Sequence, residues 1–122
     1  MAKKLRGFDV VIAAARTLSD VERSVAWGAD AVKVRGKLLA CQAIHKSAEP
    51  NSIVVKIPID QREELIAAEP DVYYLTEHYV NYPSVLVRLS KINRDALRDL
   101  IGMARKLAGA STRKKRPTRR SR

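Results

Sequence analysis

Hydrophobic positions along the chain change period several times, and each change marks a boundary between elements. Near the N-terminus Phe8, Val11, Ile12 and Ala15 recur at three- and four-residue intervals, the spacing of one helix face. This predicts a first helix over Asp9–Leu18, with Asp9 favourably placed at its positive end. Short segments that alternate or run apolar follow: Glu22–Trp27, Ala31–Arg35, Lys37–Ile44 and Ser52–Ile57. Within Ala31–Arg35, Val32 and Val34 fall on one side while Lys33 and Arg35 fall on the other, the period of a half-buried strand. Gly36 then stands where a tight reversal needs positive φ, so Ala31–Ile44 reads as a hairpin.

Helical spacing returns at Asp60, which with Glu63 fits a capping box ahead of Leu65 and Ile66. Pro70 limits that helix. Val72–Leu75 and Val85–Leu89 read as two further strands, the second with Val85, Val87 and Leu89 on one face and Arg88 on the other. Between them Thr76–Ser84, with His78 and Pro83, reads as a long turn. The last helix carries the clearest stripe: Leu97, Leu100, Ile101, Ala104, Leu107 and Ala108. Asp95 and Asp99 lie early in it, Arg105 and Lys106 late, and Gly109 is expected to close it. No internal repeat interrupts this order. The pattern is that of an α+β two-layer domain with a mostly antiparallel sheet and flanking helices.

Composition narrows the reading. A chain of 122 residues with 46% apolar content can build one domain with a true core. The single cysteine, Cys41, excludes an intramolecular disulfide and a cysteine-only zinc site within one chain. No apolar run approaches the roughly 18–20 residues of a membrane span, so no membrane partner is expected. Lys3, Lys4 and Arg6 precede an apolar stretch in the manner of a signal peptide. Asp9 and Arg16 nevertheless confine that stretch to Val10–Ala15, shorter than the roughly 7–15 residues a leader requires. The expectation is a mature first helix and a cytoplasmic protein.

Charge changes the picture more. Lysine and arginine total 24 against 13 acids, a formal charge of +11, which favours a polyanionic partner. Seven of those cations (Arg113, Lys114, Lys115, Arg116, Arg119, Arg120 and Arg122) stand in the last twelve residues with no acid among them. Residues 111–122 therefore read as a disordered basic tail after a domain over 1–110. Such a tail either solubilises the chain or serves as a non-specific phosphate-binding arm, and the second reading is preferred.

Catalytic signatures are missing. Gly7, Gly28, Gly36, Gly102 and Gly109 give neither a P-loop nor a dinucleotide fingerprint, and no nucleophile-elbow or zincin spacing occurs. Cys41 and His45 could offer two metal ligands with His78 as a third, but a core thiol beside a surface histidine is the simpler reading. A Cys41–His45 nucleophile pair lacks an identifiable orienting group. Glu77 and His78, as adjacent strand residues, would point to opposite faces, and His78 reads as a turn anchor. No enzyme activity and no cofactor is expected. The hairpin cations Lys33, Arg35 and Lys37, with Lys46 and Lys56 farther along, could neutralise phosphates. They could equally guard an edge strand. Trp27, Tyr73, Tyr74, Tyr79 and Tyr82 could stack on bases, although aromatics in strands and turns more often belong to core or rim.

The order of motifs resembles the MmcQ/YjbR-like family. The resemblance rests on Trp27-Gly28 and the run Ala31–Lys37, on Ala68–Tyr79, on Tyr82–Ser90, and on the closing helix Arg94–Leu107. It covers roughly residues 8–108. It implies a small α+β fold with a curved antiparallel sheet, similar also to secretion-chaperone-like folds that bind proteins. The family is commonly described as DNA-binding by analogy with a double-wing arrangement of hairpins. On that analogy the first wing is Ala31–Ile44 and the second involves Val72–Leu89 with His78 and Arg88. Two positions depart from the pattern: many relatives carry tryptophan where Ser84 stands and an aromatic near Met103.

The expected function is nucleic-acid binding, DNA ahead of RNA, with low sequence specificity. The contacts would come from Lys33, Arg35, Lys37, Arg88, Arg113, Lys114, Lys115, Arg116, Arg119 and Arg120. The alternative is a protein-interaction or homodimerisation module without a nucleic-acid role, and a remoter one is a small-molecule enzyme centred on His78.

Overall fold

The computed structural model describes residues 8–18, 20–26 and 28–114, with side chains as far as 108. Helix α1 spans Asp9–Ala15, and the strands β1 (Val21–Ala26), β2 (Ala29–Val34), β3 (Lys37–Gln42) and β4 (Ser52–Lys56) follow. Helix α2 (Ile59–Ala68), strands β5 (Tyr73–Tyr74) and β6 (Ser84–Arg88), and helix α3 (Arg94–Lys114) complete the order. The six strands form one antiparallel sheet in the order β1-β2-β3-β4-β6-β5. Four consecutive strands thus meander, and β6 then inserts between β4 and β5.

Strand alternation decides what each face of this sheet carries. Val32, Val34, Ile53, Val55, Val85, Val87 and Leu89 project to one side, where they join Val11, Ile12 and Ala15 of α1 and Leu97, Leu100, Ile101 and Ala104 of α3 in the main core. Leu65 and Ile66 of α2 pack against the same cluster. Ala31, Cys41, Val54 and Leu86 project to the opposite side, which no helix covers among the described residues. The two-layer α+β reading holds, with all three helices on one face.

Register breaks once. Between β2 and β3 the pairing shifts after Val32, so that Val32 faces Ala40 while Lys33 faces Leu38. Leu39 is the extra residue of a β-bulge. Leu39 and Ala40 both enter the main core in consequence, whereas Leu38 and Cys41 both lie on the open face.

Boundaries differ from the sequence pattern where local hydrogen bonds compete. Helix α1 stops at Ala15 rather than Leu18: the Leu18 amide bonds the Ala15 carbonyl at 2.9 Å, and the Thr17 hydroxyl donates to the Ala14 carbonyl at 2.8 Å. The chain then leaves through Asp20 in a left-handed conformation, φ 67°. Helix α2 has Pro58 at its N-cap and no side-chain cap. It starts earlier than a capping box would place it, because Pro58 presets the entry. Asp60 instead accepts the amide of its neighbour Gln61 at 3.0 Å. Helix α3 is capped by Asn93, whose Oδ1 accepts the Ala96 amide at 2.8 Å. Its backbone continues past Gly109 to Lys114, since one interior glycine costs only about 1 kcal/mol. Of the expected tail, Lys115, Arg116, Arg119, Arg120 and Arg122 lie outside the described residues, as does Trp27. Among the described residues no helix is long and apolar enough to cross a membrane.

Candidate functional site

The β2–β3 hairpin turns on Arg35 and Gly36, both left-handed with φ 50° and 81°. This is the geometry of a type I′ turn, whose twist matches the flanking strands. The turn gathers Lys33, Arg35 and Lys37 at one end of the sheet, as the alternation predicts. It also brings acids beside them. Lys33 stands opposite Glu22 of β1, and the Arg35 guanidinium lies 3.6 Å from Asp20, whose same oxygen is 3.6 Å from Arg105. Exposed pairs of this length contribute at most about 1 kcal/mol, so Arg35 can exchange its partner for a stronger anion.

Arg88 has a different role from the one its charge suggests. Its Nε and Nη2 donate to the two oxygens of Glu49 at 2.8 and 2.7 Å, and its Nη1 donates to the carbonyls of Pro70 and Asp71 at 3.1 Å each. The guanidinium carbon sits 4.1 Å above the centre of the Tyr74 ring. The hydrogen bond from Arg88 holds the Glu49 carboxyl below its usual range, against the opposing effect of burial. With both edges of its planar fork occupied, Arg88 ties three segments together and presents no free fork to a phosphate.

On the uncovered face two loops, 43–51 and 75–83, rise beside the sheet and bound an open pocket of about 910 Å³. Its floor is Leu38, Cys41 and Val54, and Lys56 and Ser84 stand directly opposite each other on β4 and β6. The loops meet through His45 and His78, whose rings stack with centroids 3.5 Å apart and planes within 8°. Tyr79 presents an edge to both, at 6.1 and 4.7 Å. The Ser47 amide donates to His45 Nδ1 at 3.0 Å, and the Ser47 hydroxyl lies 2.8 Å from the hydroxyl of Thr76. Since Nδ1 accepts that amide, His45 is neutral with its proton on Nε2. Desolvation first, then the neighbouring His78 and Lys46, hold its pKa below the ordinary histidine value. A second tie runs through Tyr74, whose hydroxyl accepts the Glu49 amide at 2.8 Å and lies 2.7 Å from the Ser52 hydroxyl.

The structure therefore brings His78 to His45, a contact absent from the sequence reading, and keeps His78 as an anchor between loops. Cys41 and His45 both line the pocket, but Cys41 is a core thiol, its pKa raised by burial and eased back by Lys56. Among the described residues no group of three or more histidine, cysteine or acidic side chains could hold a metal. Arg62 was also hidden from the pattern. It is only 3% exposed on α2 and donates through Nη1 to the carbonyls of Tyr82 and Ser84 at 2.8 and 3.2 Å, fixing the far end of the 75–83 loop.

Comparison with known proteins places this architecture. The crystal structure of Deinococcus radiodurans protein DR2400, with its DUF419 domain, superposes with a TM-score of 0.68. The match covers 88% of this chain and 82% of that one at 17% identity, a likeness of fold. The uncharacterized proteins Rv2570 of Mycobacterium tuberculosis (strain ATCC 25618 / H37Rv) and Mb2600 of Mycobacterium bovis (strain ATCC BAA-935 / AF2122/97) are each 54% identical over 37 residues. That stretch is 30% of this chain and 29% of either relative. A YjbR family model matches residues 16–107, from the end of α1 into the last turns of α3. The chain belongs to the YjbR family.

Proposed function

We propose that this protein binds nucleic acid, duplex DNA in preference to RNA, with little sequence specificity. The observation that carries the reading is the cationic run Arg113–Arg122, seven positive side chains without an acid, which grows directly out of the end of α3. Closely spaced cations release condensed counterions when they meet phosphates, and this needs no base contact. Lys33, Arg35 and Lys37 at the β2–β3 turn form a second, smaller contact on the folded body. Arg88 is left out of the interface, because Glu49 and two carbonyls hold it.

Binding of a labelled 30-base-pair duplex to the full chain across a salt series tests this. If the run supplies about six contacts, the log–log salt slope is near roughly −5. Replacing its seven cations by glutamine should remove most of that slope. Affinity that is insensitive to salt, or unchanged by the replacement, overturns the reading. A second reading, pairing of two copies along the sheet edge, is favoured by β1, which among the described residues lies at the edge beside β2 and exposes Val25 at 59%. Sedimentation of the wild type against Val25→Lys decides it, since an edge dimer would dissociate in the variant.

A further inference from the structure

The pocket on the open face has no part in phosphate binding by the tail or the hairpin, and its lining has a definite chemical character. The floor is apolar: Leu38, Cys41 and Val54 offer carbon and sulfur over most of its area. Two ammonium groups, Lys46 and Lys56, reach it, and no aspartate or glutamate does. Neither lysine makes an ion pair within 4.0 Å among the described residues. At the rim Ile44 and Tyr82 are 60% and 54% exposed, large apolar side chains left in water beside an apolar floor.

We propose that this pocket binds an amphipathic carboxylate. Its apolar body lies on the sheet between Ile44 and Tyr82, and its anionic head meets Lys56. A volume of about 910 Å³ falls in the range of small-molecule sites, about 300–1,000 Å³. The hydrophobic effect favours a ligand that covers the exposed rim and the floor together. Position orders the head group: Lys56 stands on β4 opposite the buried Ser84 of β6, so a carboxylate oxygen can take an ammonium hydrogen at that end of the floor. The stacked rings of His45 and His78 form one wall of the pocket. A nucleotide fits less well, because a phosphate cradle of successive backbone amides forms no part of this lining.

Decanoate titrated into the full chain below its micelle-forming concentration, with decanol and decyltrimethylammonium alongside, tests the proposal. Calorimetry is the first readout. The second is the rate at which a thiol reagent modifies Cys41, the chain's single cysteine and part of the floor. Decanoate is expected to bind about tenfold more tightly than decanol, a difference of about 1.4 kcal/mol, and to slow Cys41 modification, while the cationic analogue fails to bind. Lys56→Gln should abolish the preference for decanoate over decanol without changing decanol affinity, with Lys46→Gln giving a smaller loss. Both side chains are solvated, and circular dichroism verifies that the variants fold. Equal affinity for decanoate and decanol overturns the assignment, as does decanoate binding that leaves Cys41 unprotected or ignores Lys56→Gln. Oligothymidylate binding that slows Cys41 modification, with no decanoate binding, would overturn the assignment and give the face to single-stranded nucleic acid instead. The proposal is independent of tail-mediated DNA binding, since replacing the tail cations should leave decanoate affinity intact.

Discussion

Arg88 shows how a cation on an exposed strand face is taken up by the fold itself. Removing it leaves Glu49 without its bidentate partner and the carbonyls of Pro70 and Asp71 without donors. Arg88→Ala should therefore destabilise the protein by about 2 kcal/mol in urea denaturation, and Arg88→Lys should recover less than half, because an ammonium cannot reproduce the fork. The Glu49 carboxyl is less readily protonated folded than unfolded. Its contribution is thus complete above the ordinary glutamate range, around 4.3, and is lost as pH falls through the lower folded value. Glu49→Gln should flatten that acid limb. His45 follows the same sign from a different chemistry: its folded imidazole resists protonation, so the unfolded chain binds the extra proton. Stability should be full above about pH 6.5 and decline as pH drops below it. Melting temperatures from pH 7.5 to 5 should fall less steeply for His45→Gln, and an unchanged slope would refute this account.

Elements carry their own energetic signatures. Gly36 at φ 81° belongs to a region that side chains enter at a cost of about 1 kcal/mol, so Gly36→Ala should destabilise the hairpin by about that amount. Arg35 pays the same penalty at φ 50°, and Arg35→Asn should be neutral or slightly stabilising by thermal melting, despite the loss of its pair with Asp20. Asn93→Ala should cost about 1 kcal/mol by removing the cap of α3. Most elements were legible because their faces are written in short-range periodicity: Val85, Val87 and Leu89 against Arg88, or the stripe from Leu97 to Ala104. What remained hidden depends on distant partners. Nothing near His45 announces His78, thirty-three positions on, and nothing in α2 marks Arg62 as the donor to a loop twenty residues away. The insertion of β6 between β4 and β5 is likewise a property of the assembled sheet rather than of either strand.

At the scale of the whole molecule, the two faces of the sheet have separate tasks. One is closed by three helices and supplies the cooperative core; the other carries a smaller buried cluster beside the pocket that two loops bound. Lys33, Arg35 and Lys37 gather at the β2–β3 turn and the cationic run follows α3 in sequence, apart from the two pocket lysines, Lys46 and Lys56. Neutralising Lys33, Arg35 and Lys37 together should lower the DNA salt slope by at most about 3, a smaller change than neutralising the C-terminal run, because Asp20 and Glu22 already offset the turn. A larger effect from the turn would move the main contact onto the folded body.

The extra residue at Leu39 also bears on how this sequence can change over time. Strand β3 keeps Leu38 and Cys41 on the same side only because one position is unmatched by β2. A one-codon deletion of Leu39 would restore a regular ladder with Leu38, Ala40 and Cys41 still opposite their present partners, losing only one buried side chain. Single-codon deletions in this short span should accordingly be tolerated better than deletions inside the regular strands, where every residue beyond the deletion changes face. A deep mutational library that includes single-codon deletions would show that tolerance as a narrow peak centred on Leu39.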